Sequence, residues 1–357
     1  MSRHHVPDLG ALRRHLGAAL QLEHATIPPY LVALYSIRPG TNSEAHHVLR
    51  AVLVEEMLHL TLAANILNAV GGDPDLTRDG FVPAYPACLP DGETDFEVSL
   101  QPFSKDAVET FLKIERPALA AGDEVVTVKR DKTAGSLQAA RVHDDSEEHY
   151  YSIGEFYQAI GHALVELHAK HGDALFAGDP ARQITPEYYY SGGGAVIPVT
   201  DLKSAQAAIR MISEQGEGVG GAIFDYEGEL AHFYRFEQLL LGRYYRQGDA
   251  PGSPGGLPLD VNWDAVLPIK ANARLADYAE GSELHAGAVA FNAYYADFLR
   301  LLTRAFQGEP GLLTEAVGAM FRIKELAYQL MRQPIDGIAG PNAVPTFEMS
   351  SAGRDRS

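Results

Sequence analysis

Apolar residues near the start of the chain recur every three to four positions in two long stretches. In residues 8–37 this stripe consists of Leu9, Leu12, Leu16, Ala19, Ile27 and Leu34. In residues 43–70 it consists of Ala45, Val48, Val52, Ala63, Ile66 and Val70. Such spacing predicts two amphipathic α-helices, and the short link between them favours an antiparallel hairpin.

The same stripes contain three residues that are not apolar. Glu23 falls on the first stripe, and Glu56 and His59 fall on the second. Burying an unpaired charge costs several kcal/mol per ion. A salt bridge and a hydrogen-bonded core histidine would explain Glu56 and His59 alone. All three residues on adjacent helices instead favour a metal ion that offsets the cost of burial.

Helical patterns also cover much of the remaining chain. Further helices are predicted at residues 104–115, 152–171, 201–215, 229–245, 283–306 and 311–332. Four glycines within residues 216–221 predict a break in the chain's helical structure, because each glycine costs roughly 1 kcal/mol in a helix interior. We also expect the segment from Glu214 to Glu229 to line a pocket. Residues 96–100 could form a short strand.

These elements predict a mainly all-α fold, in which a four-helix bundle carries extra helices and irregular insertions. Residues 1–245 are expected to form a metal-binding bundle with insertions at residues 75–150 and 172–200. Residues 246–357 are expected to add a loop and C-terminal helices that pack on this bundle within the same structural unit.

Composition narrows the class of protein. With 357 residues, 46% of them apolar, the chain can bury a large core. Its net charge of −18 argues against nucleic acid or anionic membranes as partners. It lacks both an eighteen-residue apolar run and the apolar core of a secretory signal at its start. A single cysteine, Cys88, excludes an internal disulfide, so we expect a cytoplasmic protein.

Metal chemistry is suggested by Glu-x-x-His pairs. Bundle proteins with two iron ions take a glutamate from each of two helices and a Glu-x-x-His pair from each of the other two. The pair alone is weak evidence, since about one would arise by chance in this chain. Three occur, beginning at Glu44, Glu56 and Glu229. The first lies off its apolar stripe and is interpreted as solvated, whereas the pair Glu56 and His59 lies on its stripe.

The remaining ligands stay open at this point. Glu155 lies on one of two competing inward lines of the helix at 152–171. In the fourth segment His232 is the strongest candidate, and Glu214 competes with Glu229 as its carboxylate partner. Glu55 lies off the stripe, so we expect it to contact a ligand from behind or to be solvated. Candidate pocket or redox residues are Tyr30, Tyr157 and Tyr234.

At these residues the sequence resembles a known family. Residues 22–37 (LEHATIPPYLVALYSI) and 55–60 (EEMLHL) are similar to the ferritin-like domain of iminophenyl-pyruvate dimer synthase proteins. The resemblance continues through most of the chain, at IGEFY (153–157), EQGEG (214–218), LAHFYRF (230–236), FNAYY (291–295) and PTFE (345–348). The first two motifs are the most specific.

This resemblance implies a ferritin-like bundle that binds metal and belongs to bacterial secondary metabolism. Relatives act on imines from amino-acid oxidation in bisindole pathways and are much longer chains, so their substrate cannot be carried over. The positions that match the family's metal ligands are Glu23, Glu56, His59, Glu155, Glu214 and His232. The resemblance thus favours Glu214 where helical spacing favours Glu229.

The leading interpretation is an oxygen-dependent oxidase or oxygenase that acts on a small amino-acid-derived metabolite. Its cofactor would be two iron ions, with manganese or another divalent metal as the alternative, and its partners would be the small-molecule substrate and molecular oxygen. A homo-oligomer is compatible with this interpretation. The alternatives are a non-redox enzyme that couples imines and a protein that stores metal or uses it structurally.

Overall fold

The computed structural model describes residues 6–90, 96–117, 150, 152–189, 192–218, 222–335 and 340–349. Its regular structure there is helical. The described residues contain eight α-helices: α1 (Leu9–Ser36), α2 (Ser43–Ala69), α3 (Lys105–Ile114), α4 (Ile153–His171), α5 (Leu202–Glu217), α6 (His232–Leu241), α7 (Glu283–Phe306) and α8 (Leu312–Met331). The predicted all-α fold class is therefore confirmed.

Helices α1 and α2 form the centre of the molecule as a hairpin. From Ala18 to Ser36 every residue of α1 is buried, because α2, α4 and the C-terminal helices pack around it. The helix runs on through Pro28 and Pro29, which donate no backbone hydrogen bond. The carbonyl of Ala25, four residues before Pro29, accepts a 2.8 Å hydrogen bond from the Tyr85 hydroxyl instead.

The remaining helices surround this hairpin. Helix α4 packs on α1 and α5, α5 also packs on α2, and α6 packs on α2, α3 and α5. Helices α7 and α8 pack mainly on each other and reach α2 and α1 respectively. These contacts place α1, α2, α3, α5 and α6 around one interior space.

The structure changes two of the sequence predictions and confirms a third. Within the described residues, the stretch 96–100 forms only an isolated bridge between Val98 and Ala87, because no further strand lies beside it. The glycine-rich break is confirmed: α5 ends at Glu217 before Gly218, whose φ is 83°. Helix α6 begins only at His232, three residues after the predicted start.

Parts of the predicted insertions cannot be assessed. Residues 91–95 and 118–149 of the expected insertion at 75–150, and residues 190–191 of the one at 172–200, lie outside the described residues. None of the helices in the described part of the chain combines the length and the apolar composition that crossing a membrane requires.

Candidate metal centre

The first cluster joins the two central helices. Glu23 of α1 and Glu56 and His59 of α2 each offer one ligand atom, and these atoms lie within 4.8 Å of one another. The Nδ1 atom of His59 is 3.7 Å from Oε2 of Glu23 and 3.5 Å from Oε1 of Glu56. All three side chains are buried. Three converging buried donors of this kind could hold a metal ion.

A second cluster shares Glu56 with the first. Glu56, Glu115 and His232 also offer three atoms within 4.8 Å of one another. The Nδ1 atom of His232 lies 3.2 Å from Oε1 of Glu56 and 3.3 Å from Oε2 of Glu115. Glu115 directly follows α3, and His232 is the first residue of α6. The same Glu56 oxygen therefore faces both histidines, as a carboxylate between two metal ions would.

Each histidine also contacts a polar side chain through Nε2, the ring nitrogen that faces away from the clusters. The Nε2 atom of His59 is 2.9 Å from the side-chain oxygen of Gln215. The Nε2 atom of His232 is 2.7 Å from Glu55, which also accepts a 2.9 Å hydrogen bond from Arg235. In a neutral imidazole, an acceptor at Nε2 favours the tautomer whose proton is on Nε2, so each Nδ1 could then present a lone pair to a metal ion.

Each carboxylate of the two clusters receives one hydroxyl. Tyr157 donates a 2.5 Å hydrogen bond to Oε1 of Glu23, and Tyr30 donates one of 2.5 Å to Oε1 of Glu115. The hydroxyl of Thr26 donates to Oε2 of Glu56 at 2.8 Å. In every case the other carboxylate oxygen is the one that faces a histidine. The hydroxyls thus fix which oxygen points inward.

Burial and charge perturb the acid–base properties of these residues. Burial raises the pKa of Glu23 and of Glu115. Burial alone would also raise the pKa of Glu56, but the two neighbouring histidines hold it well below its usual value. Burial would lower the pKa of His59, yet Glu23 and Glu56 raise it to about 10. The cluster thus attracts positive charge, which protons or metal ions can supply.

The donor set fits a divalent transition metal. The buried Nδ1 atom of His232 makes no hydrogen bond with any described residue, although two carboxylate oxygens lie nearby. Such an atom is costly to bury unless it has a partner, and a metal ion would be one. Carboxylates with imidazoles suit iron or manganese.

Comparison with known proteins agrees with this picture. A family model described as ferritin-like matches residues 16–241, which is more than half of the chain. The chain belongs to the ferritin-like family. It is also similar to a crystal structure of a ferritin-like protein from Caulobacter vibrioides, with a TM-score of 0.63 and 23% identity over 97% of this chain and 100% of that one. This second likeness shows the fold alone.

One curated relative of this ferritin-like chain is an enzyme. Dichlorochromopyrrolate synthase of Lentzea aerocolonigenes is 27% identical over 335 residues, which cover 84% of this chain and 29% of the relative. The chain therefore spans less than a third of that protein's length.

Four of the seven sequence-derived ligand candidates come together in the ferritin-like bundle. These are Glu23, Glu56, His59 and His232. Glu155, Glu214 and Glu229 belong to neither cluster of the described residues. Glu155 and Glu214 are half-buried, and Glu229 is exposed.

Local geometry explains why these three glutamates point elsewhere. Helix α4 presents Tyr157 to Glu23, so its inward line is the one through Tyr157, not the one through Glu155. Helix α5 presents Gln215 to His59, and its neighbour Glu214 lies about 100° around the helix. Glu229 precedes α6 and has its backbone N–H bonded to Asp225 in a turn, so helical i,i+3 spacing does not apply to it.

Sequence reasoning missed Glu115 as a ligand candidate. The side chains of Val108 and Phe111 are buried on α3, and Glu115 continues the same line at the end of the helix. A glutamate that extends an apolar stripe was the available signal. Glu55 was expected either to contact a ligand residue or to be solvated. In the structure it contacts Nε2 of the ligand candidate His232.

Two glycines help to brace both histidines. At Gly193, where φ is 75°, an added Cβ would lie 2.4 Å from Cγ of Glu55. The carbonyl of Gly193 also accepts a 2.6 Å hydrogen bond from Gln215. At Gly194 a Cβ would lie 3.2 Å from the same glutamine side chain. Glycine is required here because only a bare backbone approaches so closely.

A small cavity adjoins the clusters. Its volume is about 20 Å³, and its walls include Glu23, Glu56, His59, Glu115 and Tyr157. A cavity needs only about 10–15 Å³ on this measure to hold one water. The carboxylates and His59 therefore face a space that admits a molecule the size of water.

Proposed function

We propose that this ferritin-like protein is a di-iron, oxygen-dependent oxidase or oxygenase that acts on a small amino-acid-derived metabolite. The observation that carries the proposal is the shared position of Glu56 in two buried clusters, each with its own carboxylate and histidine. Three carboxylates and two imidazoles resemble the donor balance of bundle proteins that hold two iron ions. Iron is preferred, and manganese is the alternative.

Some residues of the chain would bind the two ions, and others would orient those ligands. The first ion would be held by Glu23, Glu56 and His59, and the second by Glu56, Glu115 and His232. When bound, such ions supply redox and Lewis-acid chemistry towards oxygen and substrate. The protein's own contribution is orientation. Tyr157, Tyr30 and Thr26 aim the carboxylates, while Gln215 and Glu55 aim the imidazoles.

The substrate class rests on the resemblance and on the curated relative. That relative is named a synthase, and the family that the sequence motifs resemble belongs to bacterial secondary metabolism. The small cavity beside the clusters admits only a water-sized molecule, which suits access of oxygen or water to the ions. A substrate would then approach the centre from another side.

A second candidate is a non-redox, metal-supported enzyme that couples imines. It is favoured by the word synthase in the relative's name, which describes joining and not oxidation. In this case the same residues would hold the ions, which would polarise the substrate without exchanging electrons with it. The two candidates share a centre and differ in their need for oxygen.

The test is to load the chain anaerobically with iron(II) and then admit oxygen. The expected results are new ferric absorption and consumption of an amino-acid-derived compound in air only, from a panel of amino acids and of imines formed from their 2-oxo acids with ammonia. Glu56→Ala should abolish both signals, whereas Glu229→Gln, outside the clusters, should keep them. Equal turnover without oxygen would contradict the oxidase and favour imine coupling.

A further inference from the structure

A second and much larger cavity lies apart from the two clusters. It has a volume of about 470 Å³ and is enclosed by α1, α2, α7 and α8. None of the five candidate metal ligands lines it. Cavities of roughly 300–1,000 Å³ are typical of sites for small organic ligands. This volume in the described part of the bundle therefore has the size of a binding site.

The walls of this cavity are mostly apolar. They include Ile27, Leu31 and Leu34 of α1, Phe298 of α7, and Val317 of α8. From His24 to Leu34 the cavity follows eleven residues of α1, whose ten steps correspond to about 15 Å along the helix. An elongated apolar body would replace water along this wall and gain the free energy of burying its own surface.

One end of the cavity holds a buried polar pair. The Nε2 atom of His24 is 2.8 Å from the hydroxyl of Tyr295, and both residues line the cavity. The Nδ1 atom of His24 makes no hydrogen bond with any described residue, and the side chain is 1% exposed. Burial lowers the pKa of His24 to about 3, so the ring is neutral.

The other end of the cavity is positively charged. His46, His47 and Arg50 lie near the start of α2, and Lys324 lies on α8 beside the same cavity. Burial first, and then the Lys324 and Arg50 cations, lower the pKa of His46, so Arg50 and Lys324 are the groups that carry the charge here. Within the described residues none of the four side chains forms an ion pair.

We propose that this cavity binds an elongated apolar molecule with a carboxylate at one end, held by Arg50 and Lys324. The apolar body lies along α1 and α8 and reaches towards His24 and Tyr295. The charged end stays at the mouth, where a carboxylate relieves the mutual repulsion of the basic groups. The proposal does not depend on metal binding, because no candidate metal ligand forms part of the cavity wall.

The cavity nevertheless adjoins the surroundings of the candidate metal centre, at Glu55 and Gly193. Glu55 lines the cavity and accepts the contact from Nε2 of His232. A bound molecule would therefore lie one side chain away from the second cluster. A ligand in this position could alter the centre through the contact between Glu55 and His232, or it could be a substrate bound beside the centre.

The test uses decanoate and its uncharged analogue decan-1-ol as probes, with binding measured by isothermal titration calorimetry on the whole chain. Decanoate should bind saturably to one site. The double variant Arg50→Gln/Lys324→Gln should weaken decanoate binding about tenfold and change decan-1-ol binding less than about twofold. Arg322→Gln, which removes a charge paired with Glu325 on the same helix outside the cavity, is the matched control and should change neither.

A cavity-filling variant tests the location independently. Val317 is half-buried, so Val317→Trp should fill the space without unfolding the chain, and should weaken both probes more than about tenfold. Iron content should stay equal to that of the unsubstituted chain in every variant. The proposal is overturned if decanoate fails to saturate, if it binds equally well after Val317→Trp, or if Arg322→Gln weakens it as much as the double variant does.

Discussion

At the scale of single residues, Glu56 differs from the other candidate ligands because it belongs to both clusters. One of its oxygens faces His59 and His232, and the other accepts the hydroxyl of Thr26. Glu23 contributes to the first cluster alone, and Glu115 to the second alone. Removal of these side chains should therefore not have equal consequences.

The first prediction concerns metal content. Glu56→Ala should reduce bound iron to nearly none per chain, because both ions lose a ligand and two histidines lose their charge partner. Glu23→Gln should leave about one ion of the two. Iron measured by mass spectrometry after anaerobic loading checks this, with Glu229→Gln as the control. Equal losses from Glu56→Ala and Glu23→Gln would argue against a shared ligand.

The second prediction concerns pH in the metal-free protein. Glu23 and Glu56 raise the pKa of His59 from its usual 6.5 to about 10. A histidine with a raised pKa contributes stability that is fully present below about 6.5 and is lost as the pH rises through about 10. The melting temperature in chelator should therefore fall between pH 7 and 10, and this fall should be smaller in His59→Gln. A fall of the same size in both proteins would contradict the assignment.

At the scale of elements, the strongest periodic patterns gave the most accurate predictions. The helices predicted at 8–37 and 43–70 are found at Leu9–Ser36 and Ser43–Ala69. Glu23, Glu56 and His59 follow directly from those stripes. The stripe of α3 marks Glu115 as inward-facing, but neither it nor Gln215 could be assigned to the centre, because the packing of their elements against α1 and α2 is a tertiary property.

The start of α6 shows another limit of periodicity. The three-residue spacing of Glu229 and His232 puts both side chains on one helix face only if both residues belong to the same helix. Asp225 accepts hydrogen bonds from the backbone N–H groups of Glu227 and Glu229 and so forms a turn before the helix begins. Local side-chain bonds of this kind compete with helix formation and move a helix boundary.

The third prediction belongs to the glycine segment at 192–194. Gly193→Ala should displace Glu55 and Gln215, and so weaken the hold on both histidines, because the new Cβ would lie 2.4 Å from Glu55. Losses of outer hydrogen-bond partners typically cost about 10–100-fold in metal affinity. Gly80, with φ of 77° and open space around its Cβ, offers a control that carries the same backbone strain.

Metal titration and thermal melting of the two glycine variants distinguish the effect of backbone strain, which both share, from the effect of the steric contact with Glu55, which only Gly193→Ala has. Gly80→Ala should lose roughly 1 kcal/mol of unfolding free energy and keep its metal affinity. Gly193→Ala should lose both. Wild-type metal affinity in Gly193→Ala would show that the glycine segment does not brace the centre.

At the scale of the whole molecule, the C-terminal helices complete the bundle's interior. His24 of α1 contacts Tyr295 of α7, and the ring of Tyr35 of α1 lies against that of Tyr328 of α8, with 5.4 Å between their centroids. Asn68 at the end of α2 donates a hydrogen bond to the carbonyl of Phe306. These contacts support the proposal that residues 246–357 belong to the same structural unit as the bundle.

The fourth prediction follows from that proposal. Trp263 is the chain's single tryptophan, and its ring stacks 4.9 Å from that of Phe103, which precedes α3. Its fluorescence therefore reports on the contact between the C-terminal part and the bundle. In urea, tryptophan fluorescence and far-ultraviolet circular dichroism should change together in one transition. Two separated transitions would mean that the parts unfold independently.

The central claim is that two metal ions share Glu56, and anomalous X-ray scattering from iron-loaded crystals tests it most directly. The expected result is two anomalous peaks in each chain. One should be contacted by Glu23, Glu56 and His59, and the other by Glu56, Glu115 and His232. A single peak at full iron loading, or peaks bound by Glu155, Glu214 or Glu229 instead, would contradict the claim.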